Sequence, residues 1–295
     1  MTGDSGSGRR AEQDRENKHV RYDRTALEEA GWGLILTGGA NWGAVQVGAA
    51  RALFERGFHP DFIVGVSVGA INGAYLATRP SPEGVEALLR LWEMADVRRI
   101  FGSRVSRIRE LAAVVFHDSA FSNRALRSFL EQSIPVRRFD ETTIPLAVVA
   151  SDLASGTSRL LSEGDLLDAI LASAAIPGLF PPVEIDGVRL VDGAIADPLP
   201  LSVVLERGIR RIVVVEAGRP CGCGNDLGHA SGLFQRAVTV VMSDRMDLLV
   251  RLVPPDVEFV SLGLVCHPET PITDLSNAAL RARIGYEEAV RVLDG

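Results

Sequence analysis

The chain has almost no lysine, little cysteine and no long apolar run. Of its 31 basic residues only Lys18 is lysine, and 38 acidic residues leave a formal net charge of −7. That balance lacks the basic footprint of a nucleic-acid binder, so no nucleic acid is expected as a partner. The three cysteines, Cys221, Cys223 and Cys266, are too few and odd in number for a disulfide framework, which fits a reducing compartment. No window reaches the ~18 uninterrupted apolar residues of a membrane span. Residues 1–30 hold no apolar stretch of the kind that a secretory signal needs. The expectation is a soluble, cytoplasmic protein. Cys221-Gly222-Cys223, with His229, Cys266 and His267, lacks the usual two-residue gap and a second cysteine pair, so neither metal nor cofactor is expected.

What is present is an ordinary globular composition, 46% apolar over 295 residues, enough for one large α/β domain. Residues 1–24 are rich in Gly, Ser, Arg, Asp and Glu. They hold too little apolar surface to offset the entropy of ordering. A disordered tail over 1–27 and one folded domain over 28–295 follow. Short apolar runs read as buried strands at 34–36, 62–66, 146–150, 212–215 and 257–262, with a further strand at 158–162. Helical periodicity covers 44–56, 83–95, 104–116, 122–133, 165–175, 200–207, 231–250 and 276–293. Asp165 is placed to cap its helix, and Asp186-Gly187 between apolar arms predicts a hairpin. Alternating strands and helices predict a three-layer α/β/α fold with a mainly parallel central sheet.

The chemistry-bearing motif is Gly65-Val66-Ser67-Val68-Gly69, directly after the strand Phe62-Ile63-Val64 and before a helical stretch. A serine at such a strand-to-helix turn stands clear of the backbone, with a helix N-terminus favouring negative charge beside it. Thr37-Gly38-Gly39-Ala40-Asn41-Trp42-Gly43 follows the neighbouring strand and opens a helix, so its backbone N–H groups are candidates for an oxyanion hole. It lacks the spacing of a dinucleotide or P-loop.

The base is less direct. His19 lies in the tail and His59 precedes the serine strand, at its wrong end. His229 and His267 stay open as members of a Ser-His-Asp triad. Against them stands Val191-Asp192-Gly193-Ala194, an aspartate at a strand end followed by two small residues, which suits close approach to a serine.

At these residues the chain resembles the patatin-like phospholipases, lipid acyl hydrolases that use a Ser-Asp dyad. The glycine-rich segment matches at 38–43, the serine elbow at 65–69 and the Asp-Gly-Gly/Ala motif at 192–194. A fourth block runs from Ala172 to Val183, and the likeness extends over about 31–216. The resemblance implies Ser67 as nucleophile, Asp192 as base and the backbone of Gly38, Gly39 and Ala40 as oxyanion hole. Gly43, Gly65, Gly69, Gly193 and Ala194 support the motifs. It implies a lipid or ester substrate, with acyl transfer or a vestigial binding protein as the alternatives.

The chain departs from the family's Gly-Gly-Gly-x-Arg/Lys-Gly pattern at Ala40 and at Trp42, which stands where the basic residue is usual. An alanine still offers its N–H provided its φ is negative. Asp197 stands where Asn is common. Arg98, Arg99, Arg104, Arg107 and Arg109, interleaved with apolar residues, form a candidate patch for transient contact with an anionic membrane surface.

Overall fold

A computed structural model describes residues 31–102, 119–218, 230–263, 270 and 272–295. The tail, Arg104, Arg107, Arg109, all three cysteines, His19, His117, His229 and His267 lie outside the described residues, as do the expectations resting on them.

Eight strands form one sheet: β1 (Trp32–Leu36), β2 (Pro60–Val66), β3 (Leu146–Asp152), β4 (Ser158–Leu161), β5 (Val183–Ile185), β6 (Val188–Asp192), β7 (Arg211–Glu216) and β8 (Glu258–Gly263). Their order is β5-β6-β3-β2-β1-β7-β8, with β4 paired to β3. The pairs β3-β2, β2-β1, β1-β7 and β7-β8 are parallel, while β4, β5 and β6 add antiparallel pairings. The hairpin turns at Asp186 and Gly187, whose φ values of 52° and 75° are those a tight primed turn requires.

The helices are α1 (Gly43–Phe54), α2 (Val68–Thr78), α3 (Pro82–Met94), α4 (Val97–Phe101), α5 (Arg124–Ser133), α6 (Leu166–Ser173), α7 (Leu201–Leu205), α8 (Ala230–Arg251) and α9 (Ala278–Leu293). Several end earlier than the periodicity predicts. α6 stops at Ser173 instead of 175, ahead of Pro177, and α7 closes after five residues. Asp165 does cap α6, its side chain accepting from Asp168 N at 2.8 Å.

Strand side chains alternate between two cores, which defines the layers. Leu34, Leu36, Ile63, Val148 and Val213 point into a large core under α1, α2, α3, α5, α6 and α9. Ile35, Phe62, Val64, Val149 and Val214 point into a second core under α7 and α8. Both faces are covered, so these strands read as continuous apolar runs. In a parallel sheet flanked in this way, sites form where the chain leaves the C-terminal strand ends. The ends of β1 and β2 are adjacent there.

Candidate active site

Ser67 follows the last residue of β2 and caps α2 in a left-handed backbone conformation, φ 55° and ψ −123°. Such a conformation costs a non-glycine residue of order 1–3 kcal/mol and persists only when its surroundings enforce it. They do so through short contacts. A Cβ on Gly65 would strike Ala70, and one on Gly69 would strike the carbonyls of Leu36 and Thr37. The Ser67 N–H donates to Ser173 Oγ at 2.8 Å, and that hydroxyl donates to Val149 O at 2.6 Å. Ser173 therefore ties the elbow to β3.

The register of the sheet brings Asp192 to the same level. Val66 pairs with Val149, and the next residue of β3, Ala150, pairs with Asp192. Gly193 then lies so close to Val149 O that any side chain would clash, which lets the chain pass over the end of β3 toward the serine. Ser67 Oγ donates to Asp192 Oδ2 at 2.6 Å, with both residues buried. Asp192 Oδ1 accepts from Ala194 N at 2.9 Å. Ser151 Oγ donates to Asp192 O at 2.7 Å and receives Ala196 N at 3.0 Å. Burial pushes the Asp192 carboxyl up to about 6, against the pull of the Ser67 and Ala194 hydrogen bonds. Asp197 is also raised, first by burial, with Arg245 opposing.

The glycine-rich loop lines the other side. A Cβ on Gly38 would lie 3.4 Å from Ser67 Cβ and 3.3 Å from Ala194 Cβ, so its backbone faces the Ser-Asp pair. Among the described residues, no acceptor takes the N–H groups of Gly38, Gly39 or Ala40. Ala40 does not meet the condition of a negative φ, yet its N–H is one of those left without an acceptor among the described residues. Its φ is 46°, a left-handed turn that leads into a 3₁₀ segment over Ala40–Trp42. An alanine here carries strain of about 1 kcal/mol that glycine would avoid. Trp42 neither blocks the site nor lines its pocket. It is buried against Val45, Ala217 and Ile284 on the far side of the loop. Gly43 meets Val68 and Trp92 too closely for any side chain.

Three residues that the sequence motifs do not single out hold this loop from within. Trp92 Nε1 donates to Asn72 Oδ1 at 2.9 Å, and Asn72 Nδ2 donates to Gly43 O and to Gln46 Oε1 at 3.0 and 2.9 Å. Gln46 Nε2 then reaches Thr37 O at 2.8 Å and Val215 O at 3.1 Å. Asn72 and Gln46 are fully buried, so each of these bonds is costly to leave unmade.

From Ser67 a pocket opens between α2, α3, α4 and α5. Val68, Ile71, Leu91, Trp92, Phe101 and Leu130 are among its walls, and none of its lining among the described residues is charged. His59 is exposed at the start of β2, remote from this end of the sheet. Among the described residues, no group of three His, Cys, Asp or Glu side chains is placed to hold a metal ion. No described helix is long and apolar enough to cross a membrane.

On an α/β sheet, a serine at a strand-to-helix elbow thus has an aspartate on its hydroxyl and faces N–H groups that have no acceptor among the described residues. The model of the patatin-like phospholipase family matches residues 34–205, more than half of the chain, and the chain belongs to that family. Patatin-like phospholipase domain-containing protein 7 of Rattus norvegicus is 28% identical over 206 residues, which covers 68% of this chain and 15% of that protein. An uncharacterized NTE family protein of Mycobacterium tuberculosis is 33% identical over 171 residues, covering 58% of this chain and 44% of its own length. The chain thus spans less than half of these relatives. The crystal structure of VipD from Legionella pneumophila matches with a TM-score of 0.50 at 17% identity, over 90% of this chain and 67% of that one, a likeness of fold.

Proposed function

We propose that the chain is a lipid acyl-ester hydrolase that works through Ser67 and Asp192 by way of an acyl-enzyme. The observation that carries this reading is the 2.6 Å hydrogen bond from Ser67 Oγ to Asp192 Oδ2 beside a pocket lined mostly by apolar side chains. The pocket suits the acyl chain of an ester whose carbonyl carbon sits at Ser67.

Ser67 Oγ attacks the carbonyl carbon while Asp192 takes its proton. Negative charge develops on the carbonyl oxygen and falls to the N–H groups of Gly38, Gly39 and Ala40, assisted by the N-terminus of α2. The C–O bond to the leaving group then breaks, and the proton passes from Asp192 to the departing alkoxide. Water attacks the acyl-enzyme with Asp192 again as base, releasing the fatty acid and restoring the Ser67 hydroxyl. A carboxyl pushed up to about 6 suits both tasks better than an ordinary aspartate, because the ideal transfer group has a pKa near the working pH.

The test is labelling by a fluorophosphonate probe together with fatty-acid release from lysophospholipid and phospholipid vesicles. Labelling and release by the wild type, both absent in Ser67→Ala, are expected. A wild type that neither labels nor releases acid overturns the reading. Retained turnover in Asp192→Asn, with loss in a His229 or His267 variant, replaces the dyad with a triad.

A further inference from the structure

The oxyanion loop is gripped from outside by one buried cation. Arg281, on the first turn of α9, is 5% exposed. Its Nη1 donates to Asn41 O at 2.7 Å and to Asp274 O at 2.9 Å, while Nη2 reaches Asp274 Oδ2 at 3.2 Å. The guanidinium carbon lies 4.7 Å from the centroid of the Trp42 ring. Thr270 Oγ1 closes the cluster, accepting from Asn41 Nδ2 at 2.9 Å and from Trp42 Nε1 at 3.2 Å. Asn41 and Trp42 directly follow Ala40, whose backbone is the strained one. The loop segment next to the free N–H groups is thus fixed by a charge-assisted hydrogen bond and a cation–π contact.

α9 is itself held without slack. A Cβ on Gly48 of α1 would strike Ala282 O, and one on Gly285 of α9 would strike Val45 O, so the two helices cross backbone on backbone. Arg281 sits one turn before Gly285, which sets it over the loop at the start of α1. Farther along, Arg56 pairs with Asp294 at 2.6 Å and Tyr286 Oη donates to Glu55 at 2.8 Å. These outer ties fasten α9 to α1 without touching the loop.

We propose that Arg281 is a positioning residue for ester turnover. It holds the Ala40–Trp42 turn so that the N–H groups of Gly38, Gly39 and Ala40 aim at the developing oxyanion. This rests on the Ser67–Asp192 reading. A buried guanidinium is expensive unless every donor is used, and here the acceptors include a carbonyl of the loop itself. The contact acts on the transition state and not on ground-state binding, because the oxygen charge that needs the N–H groups is absent from the bound ester. Misplacing a preorganised group by about 1 Å costs roughly a hundredfold in rate, and removing one oxyanion donor costs about 10²- to 10³-fold.

The experiment compares Arg281→Met, Arg281→Lys and Arg56→Met with the wild type, using a soluble p-nitrophenyl ester and thermal melting of each protein. Arg281→Met is expected to lower kcat by about tenfold to a hundredfold with little change in KM. Arg281→Lys keeps a charge but not the planar fork, so it recovers part of that loss. Arg56→Met cuts an outer tie of the same helix pair and is expected to lower the melting temperature while leaving kcat unchanged. Wild-type kcat in Arg281→Met overturns the proposal. So does an equal fall of kcat in Arg56→Met, which would mark a loss of helix packing alone, or a loss in Arg281→Met confined to KM. If Arg281→Met does not fold, Arg281→Lys decides, since full wild-type kcat there would exclude a role for the fork. A wild type that does not hydrolyse the ester, and is not labelled at Ser67, fails at the underlying reading and takes this proposal with it.

Discussion

The two sides of the crevice are built by different means. The Ser67–Asp192 side is made from neighbours in the sheet: strand register, glycines that admit close backbone approach, and the short hydroxyls of Ser151 and Ser173. The Gly38–Trp42 side leaves the sheet after Leu36 and is not itself part of a strand. It depends on long side chains arriving from elsewhere, Gln46 and Asn72 from beneath and Arg281 from the last helix. A site placed by register is fixed as soon as the sheet forms. A loop placed by side chains is fixed only when distant helices have docked, so single substitutions can loosen it without unfolding the sheet.

The largest effect that sharpens this contrast falls on the sheet side. Ser67→Ala and Asp192→Asn should each reduce kcat by at least about 10³-fold, as loss of a nucleophile or base does in serine hydrolases. Asp192→Asn should also raise the melting temperature at neutral pH. The folded carboxyl titrates near 6 and the unfolded one near 3.8, so the folded state holds the extra proton between those values. Stability is therefore lost as pH rises through that window, and above it the ionised Asp192 costs up to about 3 kcal/mol, which an amide avoids. Thermal melts of both proteins at pH 7 and pH 4 check this, and the gap should close at the lower pH.

Next in size is the packing beneath the loop. Gln46→Leu leaves the Asn72 amide and the Thr37 carbonyl short of partners inside the protein, at about 1–3 kcal/mol each. Chemical denaturation should show that loss, with a lower kcat in the folded fraction. Ser173→Ala, which strips an acceptor from the Ser67 N–H, should cost about 1–3 kcal/mol with a smaller fall in rate. Equal rate losses in Gln46→Leu and Ser173→Ala would erase the distinction between the two sides.

The mildest expectation concerns pH. The kcat/KM for a neutral ester should rise with pH and reach half its plateau near 6, the value of free Asp192. An inflection that persists near 6 in an active variant lacking Asp192 would assign the titration to another group.

Much of the sheet side was legible in the sequence. Gly65, Ser67, Gly69, Asp192 and Gly193 are needed where backbone crowds backbone, and such needs select residue types at fixed spacings. The Asp186-Gly187 turn is legible for the same reason. The supports of the loop were not, because Gln46, Asn72 and Trp92 occupy ordinary helical positions and their partners lie in other elements. Arg281 did leave a trace. It falls in the buried stripe Ala278, Ala282, Gly285 and Ala289 of α9, where an arginine among small residues is out of place unless something nearby takes its charge. Whether Ala40 meets its negative-φ condition is not legible in the sequence, because a local pattern does not reveal that the loop turns left-handed to face Ser67.

The crossing of Gly48 and Gly285 has a consequence for how this chain is tuned. α9 lies beyond the stretch that the family model matches, yet it meets α1 with no side chain between to absorb a shift. A change of one methyl group at that crossing would tilt the helix and carry the guanidinium with it. If Arg281 positions the loop as proposed, the rate of ester turnover is thereby adjustable from the last helix, leaving the serine and the aspartate untouched.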